Sequence, residues 1–368
     1  MDDQILDIKQ MFSIVIEREA SDLFIKVGAP PTMKVNGKLE ALPMNIVLTK
    51  EMVRQIFMEI TSEEQRRRFE NANEIDTSYS AFGMGRFRVN IFRQQGFTGM
   101  VCRYIKSKIP TFEDLLLPLK PMQKLASLTR GMVLVTGVAG SGKSTTIASL
   151  LNYVNAHWRK HVITAEDPIE YLFEDNQCLF DQREILIDTA SFATALKYSL
   201  RQAPDIIMIG EMRDPETVEA AVHAAETGHL VISTVHSVNA FQTVERITNF
   251  FPTHQHQLLR QQLSMLLQGV LSQRLIQHRD GKRLVPALEI MLSTPTIKDM
   301  LFEGRTRDLH DAIAEGNTYY GTQTFNQSLK YLYQNNMITF EDAIGFSDKP
   351  DDLRLELRGI TRGNITAT

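Results

Sequence analysis

Over roughly the first hundred residues, apolar and polar positions alternate with the period of two that marks strands. SDLFIKVG predicts one strand, and TMKVNGKLEAL sets Asn36-Gly37 between two alternating runs, a strong hairpin signal. TKEMVRQIFMEI shifts to helical spacing with Thr49 as its cap, and Ser62 with Gln65 forms a capping-box pattern for a second helix. EIDTSYSAFGMGRFRVNIFRQQGFTGMVCRYI predicts three strands joined by glycine-containing turns. Within it, Phe87, Val89 and Ile91 point one way and Arg86, Arg88 and Asn90 the other. Residues 1–108 therefore read as a small α+β domain.

KSKIPTFEDLLLPLKPMQ holds three prolines, and a linker is expected over 109–122. Beyond it the pattern changes. Apolar β-branched runs (MVLVTG, HVITAED, DIIMIGE, LVISTVH) alternate with helical ones (STTIASLLNYVNAHW, SFATALKYSLRQA, PETVEAAVHAAETG). That alternation predicts an α/β domain over 123–345 with a parallel-rich sheet and crossover helices. Asp214 caps the third helical run, Pro215 suits its first turn and Gly228 ends it. From about residue 253, Leu259, Leu263, Leu266, Leu267, Val270 and Leu271 recur at three- and four-residue spacing, so helices are expected onward. The polar tail 346–368 is expected to fray.

Composition narrows the classes. With 368 residues, 43% of them hydrophobic, the chain can bury the cores of two domains. A net charge of −4 gives no global basic field, which argues against a nucleic-acid binder. Arg66, Arg67 and Arg68, beside Glu63 and Glu64, read as a solvated helix face. Two cysteines, Cys102 and Cys178, exclude a disulfide framework or a four-cysteine zinc site and fit a reducing compartment. MDDQILDIKQ does not read as a secretory signal, and no apolar run approaches the ~18 residues of a membrane span. The expected location is the cytoplasm, with peripheral docking on a membrane complex possible.

The chemistry begins at GVAGSGKS, Gly137 to Ser144, which fits G-x-x-x-x-G-K-[ST] between an apolar strand and a helical run. Gly137, Gly140 and Gly142 let backbone amides, including that of Ser141, curl around a phosphate. Lys143 can reach β/γ oxygens, the Ser144 hydroxyl can ligate Mg²⁺, and Thr145 follows in the first helical turn. The bare pattern arises by chance in roughly one such chain in a hundred, and the strand–loop–helix context lowers that further. Such a loop needs acidic partners for the metal and the attacking water. HVITAEDPIE offers Glu166, Asp167 and Glu170, and DIIMIGEMRD offers Glu211, both at carboxyl ends of apolar strands. His229 and His236 bracket LVISTV; seven residues apart on an extended run, they point to opposite faces and make a poor metal pair.

LVTGVAGSGKSTT, ITAEDPIE, IIMIGEMRDPET and AAETGHLVISTVH, in this order and spacing, resemble the type II/IV secretion ATPases, in particular the type IV pilus retraction ATPases (PilT and its paralogue PilU). ASDLFIKVGAPP, GRFRVNIF and TFNQSLKYLY extend the likeness over nearly the whole chain. The resemblance implies a homo-hexamer of two-domain subunits, a PAS-like N-terminal domain followed by a RecA-like P-loop ATPase domain. It implies ATP and Mg as ligands, bound between domains and at the subunit interface. By resemblance Lys143 and Ser144 make the Walker A contacts, Glu211 is the Walker B carboxylate acting on Mg²⁺, and Glu170 is the catalytic base. Arg86, Arg88 and Arg103 match arginines that reach the γ-phosphate, and His229 and His236 match a box of nucleotide sensors near it. Implied partners are a PilT-type motor and the inner-membrane pilus platform protein.

One segment departs from the pattern. Where the PilT side has Ala-Ile-Arg-Asn-Leu, this chain has Thr296-Ile297-Lys298-Asp299-Met300, and Phe24 stands where a histidine is usual. Both departures favour the PilU side, an accessory motor. The competing readings are a pilus assembly or type II secretion ATPase, a RecA-like nucleic-acid translocase, and a nucleotide-sensing protein with slow hydrolysis. The cysteine count and short first domain oppose the first, the charge gives the second no support, and the intact carboxylates oppose the third.

Overall fold

The computed structural model describes residues 7–81, 84–105 and 108–358. Contacts divide the chain into two compact units: one runs to Lys108 and includes Glu170–Leu172, and the other holds Ile109–Ile169 and the chain from Phe173.

The first unit comprises α1 (Ile8–Glu17), β1 (Asp22–Lys26), β2 (Thr32–Val35), β3 (Lys38–Ala41), α2 (Lys50–Ile60), α3 (Glu63–Ala72), β4 (Glu74–Ala81), β5 (Gly85–Gln94) and β6 (Phe97–Ile105). Its strands form one antiparallel sheet in the order β3-β2-β1-β6-β5-β4. Local chemistry sets the boundaries. Asn36 (φ 49°) and Gly37 (φ 80°) take the left-handed turn between β2 and β3. Thr49 accepts from the Met52 amide, and Ser62 and Gln65 form the reciprocal capping box. The buried face carries Leu23, Phe87, Val89 and Ile91 against α1, where Phe12 stacks on Phe87 at 3.7 Å. Cys102 lies in this core, and burial pushes its thiol up to about 12, so it is inert. Arg67 is 75% exposed and pairs with Glu63, a solvated helix face.

In the second unit, α4 (Leu119–Ala126) precedes β7 (Gly131–Thr136), α5 (Lys143–His157), β8 (His161–Glu166), β9 (Leu179–Glu184), α6 (Phe192–Ser199), β10 (Ile206–Ile209), α7 (Pro215–Glu226) and β11 (Leu230–Val235). Then come α8 (Ala240–Asn249), α9 (His256–Leu266), β12 (Leu267–Gln277) and β13 (Leu284–Leu292). The remaining helices are α10 (Pro295–Glu303), α11 (Leu309–Glu315), α12 (Asn317–Tyr320), α13 (Phe325–Gln334), α14 (Phe340–Gly345) and α15 (Pro350–Leu357). The sheet order is β13-β12-β7-β11-β10-β8-β9, parallel except for the β12–β13 hairpin. Apolar side chains cover both faces, as a parallel sheet flanked by helices requires.

Three features depart from the sequence reading. Leu267, Val270 and Leu271, expected on a helix, lie on β12, between β13 and β7 in the sheet. The expected linker is a packed segment, with Phe112 and Leu117 buried in the α5 core and α4 starting at Leu119. The described part of the expected tail is anchored: Leu353 on α15 is buried, and Arg274 on β12 bonds the Phe346 carbonyl and Asp348. Residues 359–368 of that tail lie outside the described residues.

Candidate active site

Strands β7, β11, β10 and β8 run parallel and bring their carboxyl ends to one edge of the sheet. After β7 the chain turns through Gly137–Gly142 into α5. Gly137 (φ 147°) and Gly142 (φ 86°) occupy backbone conformations that favour glycine. Space demands glycine as well: a Cβ on Gly137 would strike Ser141 Oγ and the Gln273 carbonyl, and one on Gly142 would lie 2.8 Å from Gln273 Nε2. Lys143 is buried and donates from Nζ to the Gly137 and Val138 carbonyls, each at 3.0 Å. No side chain caps α5, so its first amides and helix dipole are left to an anion. Ser141 Oγ is buried with no hydrogen-bond partner among the described residues. A polar atom of that kind inside a glycine cradle fits a bound phosphate. Ser144 and Thr145 stand in the first turn of α5.

Glu166 ends β8 and is buried; its Oε1 accepts from Thr164 Oγ1 at 2.7 Å and Gln182 Nε2 at 3.2 Å, which fixes its direction. Asp167 follows it. Glu211 lies just past β10, part-exposed, with His236 Nε2 3.5 Å from its Oε1. The hydroxyls of Ser233 and Thr234 donate to the Ile209 and Gly210 carbonyls at 2.8 and 2.6 Å, which pins β11 to the end of β10 and holds that pair together. Thus Gly137, Gly140, Ser141, Gly142, Lys143, Ser144, Thr145, Glu166, Glu211 and His236 share one edge of one sheet.

His229 does not join them, a correction to the expected pair. It precedes β11, at the opposite edge from His236, and six strand residues separate them by about 20 Å. Its ring bonds the Ala224 carbonyl at 3.0 Å and Thr227 Oγ1 at 3.1 Å, closing the end of α7. Glu170 groups with the first unit. On that unit's sheet Arg88 is directly across from Arg103, with Arg86 two residues along on the same face. Like charges so placed repel, and nearby acceptors offset this. Arg103 Nε donates to the buried Asp22 at 2.9 Å, Arg86 Nη2 to Ser78 Oγ at 2.7 Å, and Arg88 lies 3.9 Å from Asp76.

Sequence reasoning missed the residues of β12 that support the loop. Thr146 Oγ1 on α5 donates to Gln273 Oε1 at 2.7 Å, and Thr136 Oγ1 at the end of β7 donates to Ser272 Oγ at 3.0 Å. Asp280-Gly281, between GVLSQRLIQ and LVPALEIML, was the available hairpin signal; Gly281 takes φ 70° in that turn.

A phosphate cradle at the carboxyl ends of a mostly parallel sheet, with carboxylates at the same ends of two other strands, defines a P-loop nucleoside triphosphatase. The family described as Type II/IV secretion system protein matches residues 3–340, and the chain belongs to it. It is 42% identical over 354 residues to the type IV pilus ATPase PilU of Pseudomonas aeruginosa, spanning 96% of this chain and 92% of that protein. Identity to the type IV pilus retraction ATPase PilT of the same organism is 40% over 338 residues, spanning 92% of this chain and 97% of that one. The crystal structure of the pilus retraction motor PilT with bound ADP superposes with a TM-score of 0.87 at 40% identity, covering 95% and 99% of the two chains. The chain is an ATPase of this family with its two-domain α/β fold.

Proposed function

We propose that this protein is a hexameric motor ATPase that assists type IV pilus retraction, and hence twitching motility, in the accessory manner of PilU. The observation that carries this reading is the complete phosphate loop, Lys143 included, in a chain alike to PilU over almost its whole length. Lys143 neutralises β/γ-phosphate charge, and His236 orients Glu211. Ser144 and Glu211 would hold Mg²⁺, which supplies further charge neutralisation at the phosphates. Glu170 serves as the base that accepts the proton of the attacking water, while Arg86, Arg88 and Arg103 offer bidentate donors to the γ-phosphate. Work is delivered to the inner-membrane pilus platform from the cytoplasmic side, alongside a PilT-type motor. No described helix is long and apolar enough to cross a membrane.

The departure at Thr296–Met300 supports the accessory role. Ile297 is fully buried on α10, whereas Lys298 and Asp299 are exposed, so the altered charges lie on the surface. The test pairs turnover with motility. Purified protein should hydrolyse ATP about a hundredfold faster than Lys143→Ala, and its deletion should weaken retraction under load. Equal rates would remove the enzyme reading, and retraction by this protein without a PilT-type motor would remove the accessory one.

A further inference from the structure

Glu289, on β13, is a carboxylate that the catalytic account does not use. It is 3% exposed and lies directly across from Ser272 in the β12–β13 hairpin. Its Oε1 accepts from the Ala240 amide at 2.7 Å, the first residue of α8, and Ser272 faces it across the hairpin. Ser272 in turn accepts from Thr136 Oγ1 at 3.0 Å. Thr136 is the last residue of β7 and is followed at once by Gly137 of the phosphate loop. Ala240 opens the helix that follows the His236 turn. Thr136, Ser272 and Ala240 are all fully buried.

We propose that Glu289 is a positioning residue that ties the base of the phosphate loop to the turn carrying His236, so that nucleotide in the loop is felt at that turn. The proposal rests on the motor-ATPase reading and extends it to the coupling within its site. Two hydrogen bonds meet across one cross-strand pair: Ser272 accepts from Thr136, and Glu289, directly opposite it, accepts from the helix amide. The path runs from β7 through β12 to β13 and returns through α8 to the end of β11. It therefore joins strands whose ends carry the phosphate loop and His236.

A buried carboxylate is a costly way to satisfy one amide. Its placement shows what offsets the cost: the α8 N-terminus favours an anion, and Arg274, two residues beyond Ser272, favours the charged form. Asp348 opposes it, and burial holds the carboxyl up to about 7.

Amide hydrogen exchange of the full-length protein, with and without saturating ADP, tests the coupling over residues 236–243. Wild type should show slower exchange with ADP. Glu289→Gln keeps an acceptor for Ala240 and should retain the response. Ser272→Ala leaves that acceptor in place but cuts the link to Thr136. It should reduce the response about fivefold while ADP affinity stays within about threefold of wild type. Because Ser272→Ala removes only a hydroxyl, the test does not depend on whether Glu289→Ala folds. In turnover, Ser272→Ala should lower kcat with little change in KM, whereas a merely structural role would lower the active fraction and the melting temperature together. A wild type insensitive to ADP in this segment, or a wild-type response in Ser272→Ala, overturns the proposal. Wild-type turnover no faster than Lys143→Ala would count against the motor reading alone, since the ADP arm needs no hydrolysis.

Discussion

At the scale of single residues, the site turns on atoms that have no room to move. Gly137 faces the Gln273 carbonyl, a backbone atom that cannot rotate away, so Gly137→Ala adds strain to an already left-handed residue. The variant should lose about 1–3 kcal/mol of stability and most of its nucleotide affinity, readable by urea unfolding and ADP titration. Gly140, with open space around its Cβ position, should tolerate alanine better despite its φ of 76°. Glu289 makes a prediction of opposite character. Its folded carboxyl is pushed up to about 7 from an ordinary 4.5. Between those values the folded state holds more protons than the unfolded one. Stability from this group is therefore full below about 4.5 and lost as pH rises through about 7. Glu289→Gln lacks this titration and should gain on wild type by up to about 3 kcal/mol between pH 5 and pH 8. Parallel stability profiles of the two proteins would contradict the burial effect.

At the scale of elements, what the sequence disclosed was what local chemistry controls. The α7 helix was legible because Asp214 caps it through the Thr217 amide, Pro215 opens it and Gly228 ends it at φ 100°. The β2–β3 hairpin was legible through Asn36-Gly37, and the phosphate loop because its donors are contiguous. Strand β12 was not. Buried polar Ser272 and Gln273 break its alternation, and leucines continuing from α9 preserve helical spacing into it. β9 was missed for the opposite reason: LFDQRE is an edge strand with few buried positions and carries no apolar run. Ser272 and Glu289 meet only because a hairpin folds them together, so no linear pattern announces them. The α10 helix separates what folds from what signals. Ile297→Ala should cost about 2–4 kcal/mol, whereas Lys298→Arg with Asp299→Asn should stay within about 0.5 kcal/mol of wild type. Thermal unfolding of the two variants checks the contrast, and any gain of independent retraction by the second would assign the accessory character to those surface charges.

At the scale of the whole molecule, the residues proposed to act are spread over two units with separate cores. The phosphate loop, Glu211 and His236 belong to one, and the arginine face of β5 and β6 belongs to the other. If the arginines act on the γ-phosphate, their loss should spare ADP, which lacks it, and remove turnover. Lys143→Ala should weaken ADP binding as well, because Lys143 reaches the β-phosphate. Arg88 gives the cleaner test of the three. Its neighbour Asp76 is 59% exposed and 3.9 Å away, so Arg88→Ala leaves no buried charge behind. Arg103→Ala would strip a 2.9 Å bond from Asp22, which is buried, and mix a stability loss into the kinetics. Arg88→Ala should therefore keep its melting temperature and its ADP affinity within about threefold while kcat falls about 10³-fold. Arg88→Lys, with charge but without the planar fork, should recover only a small part of that loss. Full recovery by lysine would mean that the face supplies charge alone, and unchanged turnover in Arg88→Ala would leave Arg88 as an ordinary solvated residue of an exposed hairpin.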